Sequence, residues 1–224
     1  MNSINNNKVM KPELRTTQGE NARPLLVRSA DGTESRVIEG YAIVWGVESQ
    51  ILCDGFGVFI EIIDRGALTP ETLATFDIRC LLEHNPNRLL ARWREGNGTL
   101  ALTIDDHGLK YRFEAPNTPD GETALQLVKR GDIFGSSFAY LADENTVVWD
   151  KKPDGTPTRL VKKIRHMEDV SLVSKPAYLQ TEVSCRSLVD RGYKPQQGNG
   201  PFESEQQRKA YFEESRKAAQ VFNN

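Results

Sequence analysis

The sequence predicts a mostly β fold with peripheral helices (α+β), a closed or half-closed β-barrel surrounded by short helices. Three observations predict it. Runs of β-branched and aromatic residues of strand length recur along the middle of the chain, punctuated by Gly and Pro. Only two Thr-Pro pairs in the middle of the chain open segments with helical character. Hydrophobic residues make up 38% of the 224, a low share that is depressed further at the two ends, so a packed middle carries polar extensions.

Residues 1–22 are rich in Asn, Lys, Glu and Thr without apolar periodicity and are expected to be a flexible N-terminal arm. From Leu25 the pattern changes. Residues 36–46 read as a buried strand bounded by glycines, and residues 58–63 as a second. Thr69 then caps a helix with Pro70 in its first position. Residues 78–84 form a strand whose end delivers His84. Residues 100–105 and 109–114 flank Asp106-His107-Gly108 as a hairpin. Thr118-Pro119-Asp120 opens a helix with Ala124, Leu125, Leu127 and Val128 on its apolar face, and Gly131 ends it. Further strands follow at 135–140, 147–149, 159–161 and 170–173, the last stopped by Pro176. These elements make a domain over residues 23–190. Residues 191–224 are a polar linker, Lys194-Pro195-Gln196-Gln197-Gly198, and a charged tail. Residues 204–222 of that tail are expected to be helical, with Glu213 and Lys217 as an i,i+4 pair.

Composition excludes several functions. A formal net charge of −2 gives no basis for general nucleic-acid binding. The basic group Lys151, Lys152, Arg159, Lys162, Lys163 and Arg165 reads as the solvated rim of a hairpin or a local anion-facing patch. Cys53, Cys80 and Cys185 are isolated, which argues against a disulfide framework and suits a reducing cytosol. Cys80 and His84 lack a second pair to complete a zinc site, so no metal or cofactor is expected. No apolar run approaches a membrane span, and the protein is expected to be soluble and intracellular.

Three polar motifs enter apolar strand-like runs at separate places: Leu82-Glu83-His84-Asn85, Gly135-Ser136-Ser137-Phe138, and Glu168-Asp169-Val170-Ser171. A serine peptidase needs such an arrangement, with nucleophile, base and base-orienting group on three separated elements. A serine hydroxyl is a weak nucleophile until a neighbouring base takes its proton, and imidazole suits that near neutral pH. Of the three histidines, His107 sits at a hairpin tip and reads as a solvated turn residue. His84 taken alone is more simply a surface histidine before an Asn-Pro turn, and His166 also stands at the start of an apolar run. The serines can equally be turn residues bonded to local backbone. Strand alternation separates them: if Phe138 and Tyr140 face one side, Ser137 and Ala139 face the other, which leaves Ser136 as the alternative nucleophile. For the third member Asp169 competes with His166, and residue types alone leave both open. Arg92 and Arg165 are candidate oxyanion partners.

These motifs also carry a resemblance. Together with Glu39-Gly40-Tyr41-Ala42, Glu61-Ile62-Ile63-Asp64-Arg65-Gly66-Ala67-Leu68 and Ser171-Leu172-Val173-Ser174-Lys175-Pro176-Ala177, in this order and spacing, the chain resembles the prohead maturation proteases of tailed bacteriophages. These are distantly related to the herpesvirus assemblins. The resemblance runs from about Ile38 to about Arg186. It implies an assemblin-like fold, with His84 as base and Ser137 as nucleophile. The acidic position falls on Asp169, where relatives mostly carry Glu, and the usual Asp after the histidine is Asn85 here. Leu89-Leu90-Ala91-Arg92 departs from the common Leu-Gly. The assemblins' second histidine keeps His166 in view as third member.

The resemblance further implies a serine endopeptidase that works in the host cytoplasm inside the assembling prohead. Its substrates would be scaffold, or the scaffolding segment of the major capsid protein, and finally itself. The assemblins point towards a homodimer. Three other readings predict the same strands: a catalytically inactive β-barrel that binds scaffold or shell, a metal-dependent hydrolase using His84, His166 and Asp169, and a nucleic-acid-binding barrel. The last is disfavoured by the near-neutral charge.

Overall fold

The computed structural model describes residues 12–17, 22–28, 34–54 and 57–174. The chain forms β1 (Glu13–Thr17), β2 (Leu25–Arg28), β3 (Glu34–Val44), β4 (Glu48–Asp54), β5 (Gly57–Ile63), α1 (Pro70–Leu73), β6 (Asp77–Leu82), β7 (Leu89–Arg94) and β8 (Asn97–Gly98). There follow β9 (Leu100–Ile104), β10 (Gly108–Glu114), α2 (Pro119–Arg130), β11 (Gly135–Ala142), β12 (Val148–Lys151), β13 (Pro157–Val161) and β14 (Ile164–Val173). The mostly β expectation matches this order, with α1 and α2 as the helices among the described residues.

The barrel does not. The strands form three open sheets, in the orders β1-β11-β14-β6-β7-β8, β2-β3-β10-β9 and β12-β13-β5-β4. Closing a sheet requires hydrogen bonds between its first and last strands. Here each sheet ends in two edges, and the sheets bury their apolar faces against one another. Ile38, Ile43, Tyr111, Phe113, Phe138, Tyr140, Met167 and Val170 are among the side chains that fill the shared core. Apolar alternation fixes which face of a strand is buried, but it does not say whether the last strand finds the first.

Both helices begin as their sequence predicts. Thr69 accepts from the Thr72 N–H and Thr118 from the Gly121 N–H, each followed by Pro at the first helical position. Gly131 ends α2 at φ 81°, a left-handed value that costs a β-carbon-free residue little.

Two expectations fail locally. Residues 13–17, expected within a flexible arm, form β1 and pair antiparallel with β11. A buried ion pair overrides their polar composition, as described below. Arg159, expected on a solvated rim, is only 4% exposed because its guanidinium points into that same cluster. The C-terminal linker and helix expected over 191–224 lie outside the described residues.

Candidate active site

Three adjacent strands of the six-stranded sheet build the site. β14 lies between β11 and β6, antiparallel to the first and parallel to the second. The register sets Ser137 opposite Ser171 and Ala139 opposite Asp169. Alternation sends Ser136 and Ser137 to opposite faces of β11. Ser136 turns inward, where its hydroxyl donates to the Ala22 carbonyl at 2.9 Å and meets the Tyr111 hydroxyl at 2.8 Å. It is a satisfied core serine.

Ser137 meets His84 on the other face. Its Oγ lies 2.5 Å from His84 Nε2. His84 Nδ1 lies 2.7 Å from Asp169 Oδ1. A carboxylate can only accept, so Nδ1 carries the proton and Nε2 is left with the lone pair that faces the hydroxyl. Asp169 and Ser171, two apart on β14, share a face, and the Ser171 hydroxyl donates to the same Oδ1 at 2.7 Å. Asp169 is 5% exposed and Ser137 fully buried.

The turn after β6 aims the imidazole. Glu83 and His84 both have left-handed backbone, at φ 57° and 52°, and the Asn85 N–H closes a four-residue turn on the Leu82 carbonyl. Non-glycine residues in this region cost about 1 kcal/mol or more each and persist where surroundings fix them. Here the Glu83 N–H donates to the Leu172 carbonyl at 2.9 Å, and its carboxylate accepts the Ser174 N–H at 2.8 Å. Both bonds tie the turn to the end of β14, the strand that carries Asp169.

The remaining candidates stand elsewhere. His166 pairs with Glu168 at 3.5 Å and lies edge-on to Phe76, with ring centroids 5.5 Å apart. The carboxylate at Nδ1 of His84 is that of Asp169. Arg92 is held in a bidentate pair with Asp77, and Arg165 is exposed on β14. His107 is half-buried against Tyr41, its Nε2 enclosed without a hydrogen-bond partner among the described residues, and is not the solvated turn residue expected. Among the described residues no group of three or more His, Cys, Asp or Glu side chains is set to hold a metal ion. Cys80 is buried, which pushes its thiol pKa well up.

Two neighbours of the site were not legible as such. Ser171 stands in a motif singled out for Asp169, and i,i+2 alternation is the pattern that would have found it. Arg15 carried no such pattern. Its carbonyl accepts from the Ser137 hydroxyl at 2.8 Å, and its guanidinium enters a buried cluster with Glu61, Arg159 and Tyr140. Burial raises the Glu61 pKa, but the Arg15 and Arg159 guanidiniums outweigh it and hold the carboxyl at about 2.

The model of one protein family, described as caudovirus prohead serine protease, matches residues 23–194. Among solved structures, the bacteriophage T4 capsid assembly protease gp21 is similar at 10% sequence identity and a TM-score of 0.44, over 73% of this chain and 98% of that one. Among curated proteins none matches. Among the described residues no helix is long and apolar enough to cross a membrane.

Proposed function

The chain belongs to the caudovirus prohead serine protease family, and from that premise we propose that its peptide-bond hydrolysis is carried by Ser137, His84 and Asp169. Ser137 Oγ attacks the scissile carbonyl carbon while its proton passes to His84 Nε2. The C–N bond then breaks, and His84 returns that proton to the leaving amine. Water, activated by the same nitrogen, releases the acyl group and restores the hydroxyl. Asp169 holds His84 in the Nδ1–H tautomer and stabilises the imidazolium that forms between these steps. Ser171 holds the carboxylate by a second hydrogen bond, so that Oδ1 stays aligned with Nδ1.

The observation that carries this reading is the unbroken run from Ser137 Oγ through the imidazole to Asp169 Oδ1, with contacts of 2.5 and 2.7 Å. Both contacts are within proton-transfer reach. In the setting of that family, the substrates we propose are scaffold or the scaffolding segment of the major capsid protein, and the chain itself, cut inside the assembling prohead.

Coexpression with the scaffold and capsid proteins of its own phage tests the proposal. The chain should process them, Ser137→Ala should fold and leave them uncut, and a fluorophosphonate should label Ser137. Processing by Ser137→Ala, or its loss in Ser136→Ala with native folding, contradicts the assignment. An inert shell-binding module would label at neither serine.

A further inference from the structure

We propose that the socket around Glu61 is a substrate side-chain site that takes arginine or lysine, and that β1 of this same chain occupies it as a stand-in for the substrate strand. The proposal rests on Ser137 as nucleophile and adds to that reading a substrate class and a built-in competitor.

The position of β1 is the first ground. Among the described residues it is the edge strand of the six-stranded sheet and pairs with β11, with Thr16 opposite Ser137. An extended peptide recognised by backbone pairing adds to a sheet in this way. β1 also precedes residue 23, where the match to the family begins.

The second ground is the nucleophile's hydroxyl. Ser137 donates to the carbonyl of Arg15 at 2.8 Å, so the nucleophile's hydroxyl is already engaged by the Arg15–Thr16 peptide of this chain. A hydroxyl has one proton. While it points to the Arg15 oxygen it is off the path to His84 Nε2, and Ser137 stays fully buried. A seated β1 therefore disarms the site and fills it.

The third ground is the chemistry of the socket. Glu61 grips the Arg15 guanidinium with both oxygens, Nε to Oε1 at 2.6 Å and Nη2 to Oε2 at 2.8 Å. Such fork geometry selects a planar cation. The Tyr140 hydroxyl donates to Oε1 at 2.8 Å, and the tyrosine ring centroid lies 5.6 Å from the Arg15 guanidinium carbon. Arg159 answers the other oxygen at 2.6 Å and also pairs with Glu13 and Glu144. When β1 leaves, Glu13 and Arg15 go with it. Glu61 and Glu144 then face Arg159 alone, so the vacated socket is acidic on balance yet keeps a partner for Glu61. A cavity of about 150 Å³ beside Thr16, Thr17, Glu61 and Phe138 already opens from it.

The experiment uses the full chain. Fluorophosphonate labelling of Ser137 is timed by mass spectrometry in the native protein, in Arg15→Glu, which sets two carboxylates against each other, and in Thr17→Val. The last removes the Thr17 hydroxyl's bond to the Ala42 carbonyl without touching the charge cluster. Arg15→Glu should label at least ~10-fold faster, the scale of one lost charged hydrogen bond, and Thr17→Val several-fold faster. Peptides with Arg or Lys on the acyl side of the scissile bond should be cut at least ~10-fold faster by Arg15→Glu than those with Ala or Glu. If Arg15→Glu loses its cooperative melt, Thr17→Val decides, and the peptides are compared on it instead. Equal or slower labelling in the folded variants, or no preference for basic peptides, overturns the proposal and leaves Ser137 as nucleophile. Absence of labelling in every form overturns both.

Discussion

Asp169→Asn is the sharpest probe of how the site works. In the native chain Oδ1 of Asp169 accepts two bonds, from His84 Nδ1 and from the Ser171 hydroxyl, both at 2.7 Å. Asparagine keeps the shape but has one accepting atom. With its oxygen in the Oδ1 place it still accepts both bonds; with its NH₂ there instead, Nδ1 must give up its proton in order to accept. In that second orientation the imidazole proton moves to Nε2, and Ser137 loses the lone pair that takes its hydrogen. A carboxylate only 5% exposed is also lost as counterion to the imidazolium. A charge-assisted bond of this kind contributes about 1.5–3 kcal/mol, equivalent to roughly 10- to 150-fold in rate. Where the NH₂ takes the Oδ1 place, the wrong tautomer multiplies that loss towards the ~10⁴-fold fall in kcat known for this change in serine triads. The assay is steady-state cleavage of a peptide substrate, with melting to verify the fold. His166→Ala, measured alongside, should stay within about twofold, because His166 pairs with Glu168. Asp169→Asn within tenfold of native, or His166→Ala as the damaging change, would refute the reasoning.

Other expectations follow from the same geometry. Ser136→Ala should leave the buried Tyr111 hydroxyl without its 2.8 Å partner, costing about 1–3 kcal/mol in denaturant unfolding, with cleavage per folded molecule unchanged. Gly40→Ala should destabilise the chain by about 1–3 kcal/mol, since a β-carbon there would lie 2.5 Å from the Tyr111 hydroxyl oxygen. Glu61 titrates lower folded than unfolded, so its contribution is complete above the unfolded value of 4.5 and is lost as pH falls towards about 2. Denaturant unfolding at pH 6, 4 and 3 should show a fall of about 2 kcal/mol by pH 3 that begins below pH 5, and a flat profile there would contradict the buried cluster.

Local chemistry made much of this protein readable. Thr69-Pro70 and Thr118-Pro119 start helices because a hydroxyl acceptor and a fixed φ act within one turn. The separation of Ser136 from Ser137 likewise needs only the two-residue period of a strand. The motifs around His84, Ser137 and Asp169 were visible because each polar group stands at the edge of an apolar run. The choice between Asp169 and His166 was not, since it depends on which β14 side chain lies under the imidazole. That is decided by the register between β14 and β6 and by the left-handed turn at Glu83 and His84.

Arg15 and Arg159 mark the limit from the other side. Both read as solvated charges, because nothing within several residues of either announces Glu61. Their burial arises only when β1, β5 and β13 converge, where each buried charge meets an opposite one; a charge buried there without its partner would be strongly unfavourable. Sheet closure fails to show in the sequence for a related reason: edge and interior strands share the same alternation, and pairing between distant strands is a property of the whole assembly. The chain itself therefore determined both helices, most strands and the family's motifs, all set by forces acting within a few residues, but not β1, whose polar residues become a strand only against β11. Tertiary structure alone decided the open sheets, the carboxylate that meets His84, and the strand that lies over Ser137, because each is a contact between segments far apart in sequence.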